Sequence, residues 1–88
     1  MQIFYVQSCG IYPHDLSNII WIGTSQRKLK MFVSKEIENG NMHYYDDELP
    51  TKKQAELFRH DWENCLRRDI NNHLMYGYIS YVDNNEEV

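Results

Sequence analysis

Two groups of residues in this chain have the types and spacing to do chemistry, and neither completes a known site. Tyr44 and Tyr45 run directly into Asp46, Asp47 and Glu48. Adjacent carboxylates stay solvated, and a tyrosine offers an apolar ring with a polar tip, so the group suits contact with a basic protein surface. The second group is Thr24 and Ser25 followed by Arg27, Lys28 and Lys30. It sets hydroxyls and positive charge where a helix should begin, and free N–H groups at such an end attract anions. The glycines and lysine spacing of a phosphate-binding loop are missing, so this is at most a weak anion site.

Other reactive residues lack a context. His14 with Asp15, and His43 with Asp46 and Asp47, supply metal-type ligands without a metal-ligand spacing. Ser8, Ser17 and Cys9 sit in no nucleophile setting. The expectation is a chain with no cofactor, no metal and no catalytic residue.

The elements that must position these groups can be read from the pattern. With 88 residues there is room for one core, and 42% hydrophobic with 25% charged residues marks a globular chain rather than a disordered one. Residues 2–8 read as a first strand covered on much of both faces. Asn18 to Ile22 is a second apolar run and reads as a central strand. Thr24 and Ser25 then cap a helix whose stripe is Leu29, Phe32, Val33 and Ile37, stopped by Asn39 and Gly40. Residues 41–45 make a short third strand. Thr51 and Gln54 fit a capping box opening a second helix, with Ala55, Phe58, Trp62, Cys65, Leu66 and Ile70 on one stripe. Residues 75–82 form a last strand and residues 83–88 an acidic tail. The order ββαβαβ predicts a single α+β domain, a four-stranded mixed sheet carrying two helices.

Charge and composition narrow the partners. A net charge of −4 disfavours direct binding to nucleic acid or to an anionic membrane. Two isolated cysteines and the absence of a basic leader point to the reducing cytoplasm. Seven tyrosines in so short a chain suit interfaces as well as cores and leave room for a homodimer.

Two resemblances bear on function. Gly10-Ile11-Tyr12 followed by Trp21-Ile22-Gly23 resembles the pair of triplets that names the GIY-YIG nucleases. That resemblance implies two tyrosines on adjacent strands and an arginine on the next helix. This sequence departs from the pattern: Trp21 replaces the second tyrosine, the gap between the triplets is short, and Pro13 follows Tyr12. Met31 stands near the arginine's place, with Arg27 a turn too early. The first 45 residues also resemble small uncharacterised phage and prophage proteins of low-GC Gram-positive bacteria. They do so through Tyr5 to Asp15, Ile22 to Ser25 and Lys28 to Phe32. Some phage proteins of this size inhibit host defence, anti-CRISPR proteins among them.

The expectation that follows is a non-enzymatic protein-binding module. It would be an inhibitor of a host nucleic-acid-binding or defence protein, using Tyr44, Tyr45, Asp46, Asp47 and Glu48 as its contact surface. The alternatives are a degenerate nuclease and a small-anion or nucleotide-binding module.

Overall fold

The computed structural model describes residues 2–9, 16–64 and 67–83. Its first two strands are β1 (Gln2–Cys9) and β2 (Leu16–Gly23), and helix α1 (Gln26–Glu38) follows. Then come β3 (His43–Tyr44), helices α2 (Thr51–Asn64) and α3 (Arg67–His73), and strands β4 (Leu74–Met75) and β5 (Gly77–Asp83). The chain is α+β, as expected. The single four-stranded mixed sheet with two helices is not what the described residues form. They form two antiparallel sheets, a three-stranded one in the order β2-β1-β5 and a two-stranded one pairing β3 with β4.

The differences have local causes. The last strand, expected to run through residues 75–82, breaks at Tyr76, whose φ of 68° turns the chain out of the extended region. The piece before the break pairs with β3, and the piece after it pairs with β1. In place of one long second helix the described residues form α2 and α3, on either side of residues 65 and 66. Cys65 and Leu66, expected on the apolar stripe, lie outside the described residues, as does the acidic tail beyond Asp83.

The first helix forms where its signals place it. The Ser25 side chain accepts from Lys28 N at 3.2 Å, and Gly40 takes a φ of 82° just past the end. Leu29, Val33 and Ile37 are fully buried against Phe4 and Val6 of β1 and Phe58 and Ala55 of α2. Burying each such aliphatic side chain contributes about 1.5–3 kcal/mol. Trp21 and Phe32 stack at the margin with ring centroids 6.2 Å apart. Phe4 and Val6 face the helices. The pleat therefore sends Ile3, Tyr5 and Gln7 to the opposite side of the sheet, which no helix covers among the described residues.

One further expectation is corrected. The apolar run of β2 predicts a central strand, yet β1 is central and β2 is an edge. Ile19, Ile20 and Ile22 are all exposed. β1 pairs antiparallel on both sides, with β2 and with β5, whereas β2 leads straight into α1 and has no second neighbour among the described residues.

Candidate functional site

The acidic run and its tyrosines belong to a lobe built on the β3–β4 pair. His43 pairs with Met75 and Tyr44 with Leu74. Gln54 of α2 fixes this pair to the helical layer. Its side-chain oxygen accepts from Tyr44 N at 2.9 Å and lies 3.1 Å from His43 Nδ1, while its amide nitrogen donates to the Leu49 carbonyl at 2.7 Å. The expected capping box is therefore not what Gln54 makes. The helix's first turn is closed by Gln54 N donating to the Pro50 carbonyl at 3.0 Å, and the Gln54 side chain is fully buried.

Tyr44, expected on the contact surface, is a core residue. It is wholly buried, its ring meets Phe58 edge-on at 5.6 Å, and its hydroxyl donates to Asp61. The strand ends at Tyr44, and the chain turns at the next residue, so the second tyrosine leaves the core side. Tyr45 is 62% exposed.

Tyr45 and Tyr76 are the positive-φ residues other than glycine among those described, at 70° and 68°. Each directly follows one strand of the short pair. Asp46 N donates to the carbonyl of Tyr44 at 2.8 Å, two residues back, which is the rare and strained γ-turn with positive φ at its centre. Tyr45 N donates to the His73 carbonyl at 2.8 Å, and its ring lies 4.9 Å from the His73 ring. Tyr76 meets the His43 ring edge-on at 5.8 Å and is itself exposed. Two tyrosine–histidine pairs thus flank the short sheet, Tyr45 with His73 and Tyr76 with His43, and Tyr45 runs directly into the acidic turn.

In that turn Asp46 accepts from Glu48 N at 2.9 Å, and Leu49 N donates to the Asp46 carbonyl at 3.2 Å. The carboxylates of Asp46, Asp47 and Glu48 are all exposed and lie within 4.8 Å of one another. Three like charges this close concentrate negative potential on one side of the lobe.

The anion-binding residues come together less well. Ser25 already occupies the helix start by capping Lys28 N. Lys30 pairs with Glu63 of α2 at 2.6 Å. Thr24, Arg27 and Lys28 are exposed. A groove of about 470 Å³ beside them includes Arg27, Met31 and Lys35, but its Arg59 is bonded to Ser34 at 2.5 Å and Glu38 at 3.2 Å. Lys30 and Arg59 therefore tie α1 to α2, while Arg27 and Lys28 stay exposed.

Of the nuclease-like positions, Tyr12 and Pro13 lie outside the described residues, as do His14 and Asp15. Trp21 is stacked on Phe32, and Met31 points to solvent on α1, 63% exposed.

Sequence reasoning missed Gln54 as a tether, Tyr76 as part of the surface, and Asn71. The Asn71 amide donates to the Ile79 carbonyl at 2.7 Å and its oxygen accepts from Ile79 N at 2.9 Å. A glutamine or asparagine whose partners are backbone groups of another element leaves no spacing signal. No helix among the described residues is long and apolar enough to cross a membrane. No protein-family model, curated protein or solved structure matches this chain.

Proposed function

We propose that this chain is a protein-binding module, acting without turnover, whose contact surface is Tyr45 and Tyr76 with the carboxylates of Asp46, Asp47 and Glu48. The observation that carries this reading is the pair of exposed tyrosines held at positive φ, one at the end of each strand of the short sheet, with Tyr45 running directly into the acidic turn. A left-handed conformation costs a residue with a Cβ about 1–2 kcal/mol, and folded chains retain such strain mainly where it serves a function. An aromatic anchor next to a cluster of acidic groups is complementary to a basic surface of the kind nucleic-acid-binding proteins present. An inhibitor of a host defence or nucleic-acid-binding protein, phage-encoded and working in the host cytoplasm, fits that chemistry and the sequence resemblance. Tyr44 drops out of the contact set, and Tyr76 joins it.

The strain makes a prediction that separates stability from function. Tyr45→Gly removes the Cβ penalty at φ 70° while losing the ring contact with His73. Thermal unfolding should show it at least as stable as the wild type, gaining up to about 1 kcal/mol. Affinity for the partner should nevertheless fall. A clear loss of stability would show that Tyr45 is there for the fold.

The electrostatic test keeps the turn intact. Asp46→Asn preserves the side-chain oxygen that Glu48 N needs, and Asp47→Lys with Glu48→Lys reverses the rest. Against a basic protein captured by the wild type and then purified, this triple variant should bind at least about tenfold more weakly. The residual binding should also respond less to salt. Unchanged affinity and salt dependence, with the fold intact, would remove the lobe as the contact surface.

A further inference from the structure

The open face of the three-stranded sheet is a second surface, independent of the acidic lobe. Antiparallel sheets packed on one side usually turn polar side chains to water on the other. Here the outer face carries Ile3 and Tyr5 on β1, and the register sets Ile22 and Ser80 on either side of Tyr5 and Val82 opposite Ile3. Tyr78 and Ile19 flank Gln7. The register of β2 shifts between Val6 and Gln7, leaving Ile20 as an extra residue, so two consecutive isoleucines stand exposed where alternation would have hidden one. Ile22 is 64%, Ile19 56%, Val82 51%, Tyr78 44% and Ile20 39% exposed. The sequence of β2 is that of a strand covered on both faces, and within the described residues it is covered on one.

We infer that this face is the interface of a symmetric dimer and that its occupant is the same face of a second copy of this chain. The chemistry of the face selects that occupant. None of these sheet-face residues is charged, so a two-fold pairing of the face with itself buries no ion and opposes no like charges. A basic partner, a nucleic acid or an anionic bilayer would find no countercharge on it. Ile19, Ile20, Ile22, Tyr78 and Val82 together offer roughly 460 Å² per copy, or about 900 Å² across the pair, the size of a weak, concentration-dependent interface. Tyr5, Tyr78 and Ser80, with Asn72, line a groove of about 450 Å³ along the β5 side that gives the patch a polar rim.

Sedimentation velocity of the 88-residue chain, from nanomolar to high micromolar concentration, tests the inference. The wild type should move from monomer to dimer with rising concentration. Added salt should favour the dimer, because each copy carries −4 and screening relieves their repulsion. Ile22 and Val82 lie on opposite edge strands of the sheet. Ile22→Glu and Val82→Glu should each shift the midpoint upward by at least about tenfold, with the circular dichroism of a folded monomer. Should a glutamate variant fail to fold, Ile22→Thr and Val82→Thr keep the β-branching and should shift the midpoint in the same direction. A wild type that stays monomeric throughout overturns the proposal. So does a dimer sensitive to only one of the two positions, which would be pairing through that sheet edge. A dimer disrupted by the Asp47→Lys and Glu48→Lys changes instead would place self-association on the acidic lobe and also overturn it. Loss of dimerisation with lobe binding unaffected, or the reverse, keeps the two surfaces distinguishable.

Discussion

Gln54→Leu should unfold at a temperature roughly 15 °C below the wild type, a loss of about 3 kcal/mol in a domain of this size. The leucine fills nearly the same volume, so no cavity accounts for the loss. What disappears is the partner of two backbone groups, the N–H of Tyr44 and the carbonyl of Leu49. Gln54 and Tyr44 are both fully buried, so water cannot easily replace the missing amide. An unsatisfied buried donor or acceptor costs about 1–3 kcal/mol, and here there is one of each. The effect should also be local before it is global. With its tie to α2 gone, the β3–β4 pair should lose hydrogen-exchange protection at Tyr44 ahead of the α1 core. A variant within about 1 kcal/mol of wild type would mean that the two groups find other partners and that Gln54 is no tether.

That residue shows where the sequence stops being informative. Thr51 and Gln54 have the spacing of a capping box, and the helix does begin at Thr51. The spacing located the element correctly, but the Gln54 side chain turned to a strand ten residues away. A local motif predicts local bonds, and only the tertiary fold decides whether the amide is recruited elsewhere. α1 was fully legible for the opposite reason. Its cap at Ser25, its stripe of Leu29, Val33 and Ile37 and its stop at Gly40 are all local signals that agree with the packing.

The β3–β4 pair was half legible at best. Strands of two residues have no period to detect, and the break at Tyr76 uses a residue type that favours strands. Of the contact surface, the acidic residues were visible in the sequence. The division of labour between Tyr44 and Tyr45 was not, because it depends on which face of a two-residue strand meets Phe58. The edge position of β2 was hidden by its own composition. An apolar run signals burial without saying whether this chain or another supplies the cover.

Asn71→Ala should cost about 2 kcal/mol and expose a sheet edge. Asn71 sits on α3 beside the buried Ile70, and its amide bonds both backbone groups of Ile79. Ile79 pairs with Val6 across the ladder, and its own N–H and carbonyl point outward to the free side of β5, where Asn71 meets them. The asparagine side chain therefore imitates a neighbouring strand for one residue and blocks that stretch of edge from pairing with another chain. Truncation removes two net bonds of roughly 1 kcal/mol each and returns two backbone groups to the edge. The Ile79 amide should exchange with solvent markedly faster in Asn71→Ala, and the variant should aggregate on heating where the wild type refolds. The Ile22→Glu change on the far strand should not suppress that aggregation, because edge pairing and face pairing use different atoms. An Ile79 amide that stays as protected as before would show that α3 merely lies against β5 without closing it.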